Sequence, residues 1–169
     1  MNDDTAYMRR ALSLARRGLE QGTLPIGAVL ACGGEVLGEA FWRQDDRGGL
    51  LGHAEHRVLV DADPTIAFGT RRDATLYTTL EPCLMCMGTA MSFFLGRIVY
   101  AMESPVDGAS NVALAWAPSY GHPAGGGAYA IPQVESGLCR DEATELVRQW
   151  IAQGATGPEA AFARRLLEP

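Results

Sequence analysis

"DATLYTTLEPCLMCMGTAMSFFLGRIVYAM", residues 73–102, is the stretch whose reading decides the fold. Its first part, 73–80, is rich in Thr and Tyr and reads as a strand. Pro82 ends that strand and is suited to open a helix, because proline fits the first helical position. The helix expected over 83–95 is apolar almost all round. A helix of that kind is buried on more than one side, so one face should cover a sheet and the other a partner subunit. "RIVYAM" (97–102) is the next strand.

The same alternation continues on both sides. Upstream, Asp3 or Asp4 can cap a helix whose apolar positions Met8, Ala11, Leu12, Ala15 and Leu19 follow the helical period, with Gly22 as its stop. "LPIGAVLAC" and "EVLGEAFW" read as a hairpin turned by Gly33-Gly34. Residues 43–52 form a loop ending at His53, where a second helix runs to about Ala62. Downstream, "GASNVALAW" is helical, 117–130 is a Gly- and Pro-rich loop, "IPQVES" is a short fifth strand, and two helices close the chain. Strands alternating with helices predict an α/β fold, a three-layer α/β/α sandwich on a five-stranded mixed sheet.

The 169 residues suit a single domain, 1–169, with 47% apolar and 20% charged residues. The first residues are charged and helix-patterned, so no signal peptide is expected, and no uncharged stretch reaches membrane-spanning length. The expected location is cytoplasmic, without membrane contact. The net charge of −6 weighs against a nucleic-acid partner, for which a basic patch supplies most of the affinity. Arg9, Arg10, Arg16, Arg17, Arg164 and Arg165 stand at helical spacings typical of a solvated face. Of the four cysteines, Cys32 and Cys139 are isolated and read as small buried hydrophobes.

Cys83 and Cys86 differ, forming a C-x2-C hook at a helix start, where backbone N–H groups and the helix dipole favour thiolates. His53 also stands at a helix start, in "LGHAEHRVL" (51–59). Three protein ligands leave a zinc ion one open position, the catalytic count rather than the structural one. Residues two apart on a helix do not share a face, so Glu55 is not a co-ligand of His53. It can reach instead to a water at the open position, whose pKa zinc lowers from about 15.7 to about 7. A glutamate there can take the water's proton and hand it to a leaving amine. His56 lies three residues from His53, but His53, Cys83 and Cys86 already fill the protein's share of ligands.

H-x-E with P-C-x-x-C is the signature of zinc nucleobase deaminases. "GHAEH" with "TLEPCLMC" resembles the cytidine deaminase-like superfamily, in the branch of tRNA adenosine deaminases and guanine deaminases. The hairpin "LPIGAVLACGGEVLGEA" and the closing "DEATELVRQW" extend the resemblance over most of the chain. It implies a five-stranded sheet flanked by helices, one zinc per subunit bound by His53, Cys83 and Cys86, Glu55 as proton shuttle, and a homodimer. Candidate substrate contacts are Trp42, Ala54, Pro82, His122 and Trp150. Trp42 stands where the branch commonly has Asn, "GLLG" (49–52) replaces its Asp-Pro-Thr-Ala, and the loop carrying His122-Pro123 continues in glycines rather than basic residues.

These departures and the acidic charge favour a small-molecule substrate, a purine-type base, nucleoside or related aminated heterocycle, with guanine-type bases first. A tRNA-specific adenosine deaminase is the alternative, and a non-catalytic zinc module is a third reading, opposed by Glu55.

Overall fold

The computed structural model describes residues 3–43, 50–119 and 129–168. Helix α1 (Asp4–Glu20) starts on Asp3, whose carboxylate accepts from the Ala6 N–H at 3.0 Å. It stops at Gly22, in the left-handed region at φ 75°, where Thr23 N–H bonds the Gly18 carbonyl at 2.9 Å and Gly22 N–H that of Leu19 at 3.0 Å. Strands β1 (Gly27–Cys32) and β2 (Glu35–Phe41) form the expected antiparallel hairpin, with a register shift between Leu30 and Ala31.

After α2 (Ala54–Ala62) and a 3-10 turn (Phe68–Asp73), strand β3 (Thr75–Leu80) pairs antiparallel to β1 and parallel to β4 (Arg97–Met102). Strand β5 (Gln133–Ser136) adds to β4 in parallel, giving the mixed order β2-β1-β3-β4-β5. Every residue of β3 is buried, as befits a central strand covered on both faces. Helices α1 and α5 (Arg140–Ala152) pack on one face, and α2 covers the other with α3 (Leu84–Ser92) beside it. Helix α4 (Ser110–Ser119) packs on α3, and α6 (Gly157–Leu166) on α5.

Several boundaries differ from expectation. Pro82 is not the first residue of α3: Cys83, extended at φ −69° and ψ 174°, is the N-cap and bridges to Gly108, which sets Pro82 outside the helix. The helix ends at Ser92 rather than 95 because Phe94 turns left-handed (φ 63°), with Leu95 N–H on the Ala90 carbonyl and Phe94 N–H on that of Met91. Glycine is the usual residue there, so the stop is invisible in a Phe-Phe pair. Helix α4 runs through Ser119 into the stretch read as loop. Cys32, at the end of β1, and Cys139, the left-handed cap of α5, are half-buried rather than core.

Alternation along β3 sends Tyr77 to α1 and Thr78 to α2. Tyr77 stacks on Tyr7 and donates to Asp4 Oδ1 at 2.6 Å. Arg97 holds both Asp4 oxygens, at 2.9 and 2.8 Å, and both Glu135 oxygens at 2.8 Å, so one guanidinium ties α1 to β4 and β5. Among the described residues no helix is long and apolar enough to cross a membrane.

The Arg97 guanidinium holds the Asp4 carboxyl below its ordinary value of 3.8. A depressed carboxylate stabilises the fold above the unfolded pKa and loses that contribution as pH falls through the folded value. Thermal melts of Asp4→Asn should therefore show a lower Tm than wild type at pH 7, with the two converging as pH falls through the depressed folded-state value.

Candidate metal centre and the cavity above it

The site lies where chain direction and helix polarity meet. Strand β3 runs into Glu81, Pro82 and Cys83, so the carboxyl end of a parallel-paired strand delivers one ligand, the usual location of ligands in open α/β sheets. His53 is the N-cap of α2 and Cys83 that of α3; Cys86 sits one turn into α3. Two helix N-termini thus converge, and both favour anionic sulfur.

His53 Nδ1 lies 3.6 Å from each sulfur, and the sulfurs are 3.7 Å apart. Zinc–sulfur and zinc–nitrogen bonds at tetrahedral angles require edges of about 3.8 Å between sulfurs and about 3.6 Å between sulfur and nitrogen. The donor set fits zinc on spacing and on chemistry. Among the described residues this is the group of His, Cys, Asp and Glu side chains close enough to hold a metal, and His56 is not in it.

The thiol of Cys83 is held down to about 4, first by its hydrogen bond with Cys86 and then by His53 against the cost of burial. Sharing with Cys83, then burial, pushes Cys86 up, and the contact with Cys83 raises His53. The three groups compete for protons as metal ligands do.

Glu55 is 3% exposed. Thr78 Oγ1 donates to its Oε1 at 2.8 Å, and its Oε2 stands 3.7 Å from Cys86 Sγ. Burial raises its pKa, which makes it a carboxyl able to hold a proton as well as release one. The strand pattern around Thr78 announced burial but not this bond.

Above the donors lies a cavity of about 290 Å³. Its apolar wall is Leu24, Ile26, Trp42, Leu50, Leu80 and Phe162; its polar wall is His53, Glu55, Glu81, Cys83, Asp107 and Glu159. No Lys or Arg is among these described lining residues. Trp42 is 8% exposed, so it packs against the core and presents its remaining surface to the cavity. A second cavity of about 650 Å³ adjoins, sharing Leu24, Trp42 and Glu159 and carrying Arg43.

Trp150 belongs to that neighbour, not to the cavity over the donors, because its Nε1–H is committed to the Gly22 carbonyl at 3.0 Å. Ala54 is fully buried at the start of α2, and Pro82 is buried with its carbonyl accepting from the Ala109 N–H at 3.0 Å; neither lines the cavity. His122 lies outside the described residues. Sequence reading missed Asp107 and Glu81. Their one signal is acidic residues at the carboxyl ends of two adjacent strands.

Comparison with known proteins agrees with this geometry. Residues 1–102 match the family model described as the cytidine and deoxycytidylate deaminase zinc-binding region. A tRNA-specific adenosine deaminase of Agrobacterium fabrum is 32% identical over 155 residues, 90% of this chain and 97% of the relative. A solved structure from a study of A-to-I editing by tRNA:A34 deaminases superposes with TM-score 0.68 at 34% identity, covering 84% of this chain and 99% of its own. The guanine deaminase of Nitrosomonas europaea, 21% identical, shares the fold at TM-score 0.63 over 88% of this chain and 84% of its own.

Metal analysis of freshly purified protein should find about one zinc per chain. Cys83→Ala and Cys86→Ala should each lose it and lower Tm, since the ion ties two helix starts together. His56→Ala should keep it; loss of zinc from that variant would contradict the ligand set.

Proposed function

This chain belongs to the cytidine and deoxycytidylate deaminase family of zinc-dependent hydrolytic deaminases, and from that premise we propose that it deaminates a purine bearing an exocyclic amine, first of all adenosine within tRNA. The observation that supports the chemistry is the unligated, buried Glu55 beside a ligand set three donors strong. A structural zinc site has no use for such a carboxyl.

His53, Cys83 and Cys86 are the residues assigned to zinc, which when bound supplies the Lewis acidity that makes water nucleophilic near neutral pH. Glu55 takes the proton of the attacking water and carries it to the amine nitrogen. The carbon–nitrogen bond breaks, the ring carbon keeps the oxygen, and ammonia leaves. Thr78 fixes one Glu55 oxygen, which leaves the other for that transfer. Trp42, Leu24 and Ile26 offer flat and apolar surface to a heterocycle and restrict water.

The tRNA reading is supported by relatives whose similarity runs over most of both chains. Arg43, in the adjoining cavity, is a cation suited to a nucleotide phosphate next to the reacting base. One observation favours a second reading, a free purine base or nucleoside. The described polar wall over the donors is acidic and the chain carries −6, a poor match for a phosphate at that depth. In either case the setting is a cytoplasmic homodimer, with the exposed Leu84, Val112 and Leu114 of α3 and α4 covered by the second copy.

Ammonia release should be measured on tRNA, adenosine, adenine, guanosine and guanine, with Glu55→Ala as the blank. Glu55→Ala should keep its zinc and lose about 10² to 10⁴-fold in rate. Turnover confined to tRNA, falling steeply with salt, supports the first reading; salt-insensitive turnover of a free base or nucleoside replaces it with the second.

A further inference from the structure

We infer that Asp107 receives the departing amine: it is a second carboxylate of the deamination site, accepting a hydrogen bond from the leaving nitrogen while Glu55 supplies the proton. The inference rests on the deaminase reading and adds a residue to it.

Asp107 lines the same cavity of about 290 Å³ as Glu55 and His53, on its exposed side. It is held there. Ser104, itself 4% exposed, donates from Oγ to Asp107 Oδ1 at 2.5 Å. The segment around it is fastened to the strand end that carries Cys83. The Ser104 and Ser110 N–H groups bond the two Glu81 oxygens at 3.0 and 3.2 Å, Ala109 N–H bonds the Pro82 carbonyl at 3.0 Å, and Gly108 bridges Cys83. A Cβ at position 108 would collide with the Glu81 carboxylate, so the close approach requires glycine. Asp107 therefore keeps a fixed place relative to a metal-ligating sulfur.

The other described acids over the donors have different work. Glu55 is the proton carrier, Glu81 is engaged with backbone N–H groups, and Glu159 stands on α6 at the boundary with the adjoining cavity. Charge in the reaction moves in one direction. The amine is neutral in the substrate and gains positive character as its bond to carbon breaks and the Glu55 proton arrives. A carboxylate beside it stabilises the departing group more than the bound substrate, which is the condition for lowering a barrier. Glu55 is buried at 3% exposure and Asp107 belongs to the exposed part of the lining, so a product moving from the proton carrier to solvent moves toward the part of the wall that holds Asp107.

The test replaces the leaving group. Water attack on 6-chloropurine ribonucleoside forms the same inosine product, but chloride departs with the bonding electron pair, needs no proton and offers no N–H. Asp107→Asn, checked for zinc content and Tm equal to wild type, is compared on adenosine and on the chloro analogue. Each is presented free or within a stem-loop RNA, in whichever form wild type accepts. Expected is a loss of about tenfold or more in kcat on the amine, with chloride release unchanged or faster. Ser104→Ala, which leaves the carboxylate but removes its anchor, should shift the ratio in the same direction by less. Equal losses on both leaving groups, or none on either, overturn the inference while Glu55→Ala still tests the deaminase reading. A wild type that releases ammonia from none of tRNA, adenosine, adenine, guanosine and guanine removes both.

Discussion

The meeting of two helix N-termini over the end of β3 is the constraint on which the rest of this molecule depends. His53 and Cys83 are N-caps of α2 and α3, and Cys86 follows one turn later, so the ligands sit at positions a helix start fixes tightly. Helix N-termini lower the cost of thiolate in general, and here the hydrogen bond with Cys86, then His53, holds Cys83 down to about 4 while Cys86 itself is pushed up. Without the parallel pairing of β3 and β4, the carboxyl end of β3 would not be brought beside the 103–110 segment that braces it.

Burial then divides labour among the acids. Glu55 lines the cavity at 3% exposure, where desolvation raises its pKa and one hydrogen bond from Thr78 fixes an oxygen. Asp107 stands at the open side, and Glu81 serves as a clamp for backbone donors. Three carboxyl groups with similar intrinsic acidity thus occupy three environments, and environment rather than residue type assigns the role.

Much of this was legible in the residues. Periodicity and turn chemistry located the helices and strands, because Asp3, Gly22 and Gly33-Gly34 act through local backbone preferences. The donors were legible because a metal demands few residue types at fixed spacing. What escaped was nonlocal or atypical. Phe94 ends α3 in a conformation glycine normally takes, so its identity conceals the stop. Pro82 looked like a first helical residue, yet the bridge between Cys83 and Gly108 holds the chain extended for one residue more. Trp150 is aromatic and close to the site in sequence logic, but which cavity it lines depends on how α5 docks, and its ring N–H is spent on Gly22. Thr78 and Asp107 reach the site only through sheet pairing and a loop clamp, neither of which leaves a spacing to recognise.

The separation between rigid donors and variable walls also bears on why substrate is harder to read than chemistry. The ligands and Glu55 come from helix starts and a central strand, elements whose positions are set by the core. Leu50, Asp107, Glu159 and Phe162 reach the cavity from a loop, a clamped turn and the last helix. Changes there alter charge and shape without disturbing the hydrolytic centre. The acidic polar wall and the neighbouring Arg43 illustrate the consequence: the charge beside the reacting ring is unfavourable to a phosphate, and the nearest cation among the described lining residues stands one cavity away. A polynucleotide can satisfy both conditions at once, because its reacting base is uncharged and its phosphates lie a sugar's length from the ring. Under the tRNA reading, the net acidity therefore bears on where a phosphate would sit and does not by itself argue against a polynucleotide.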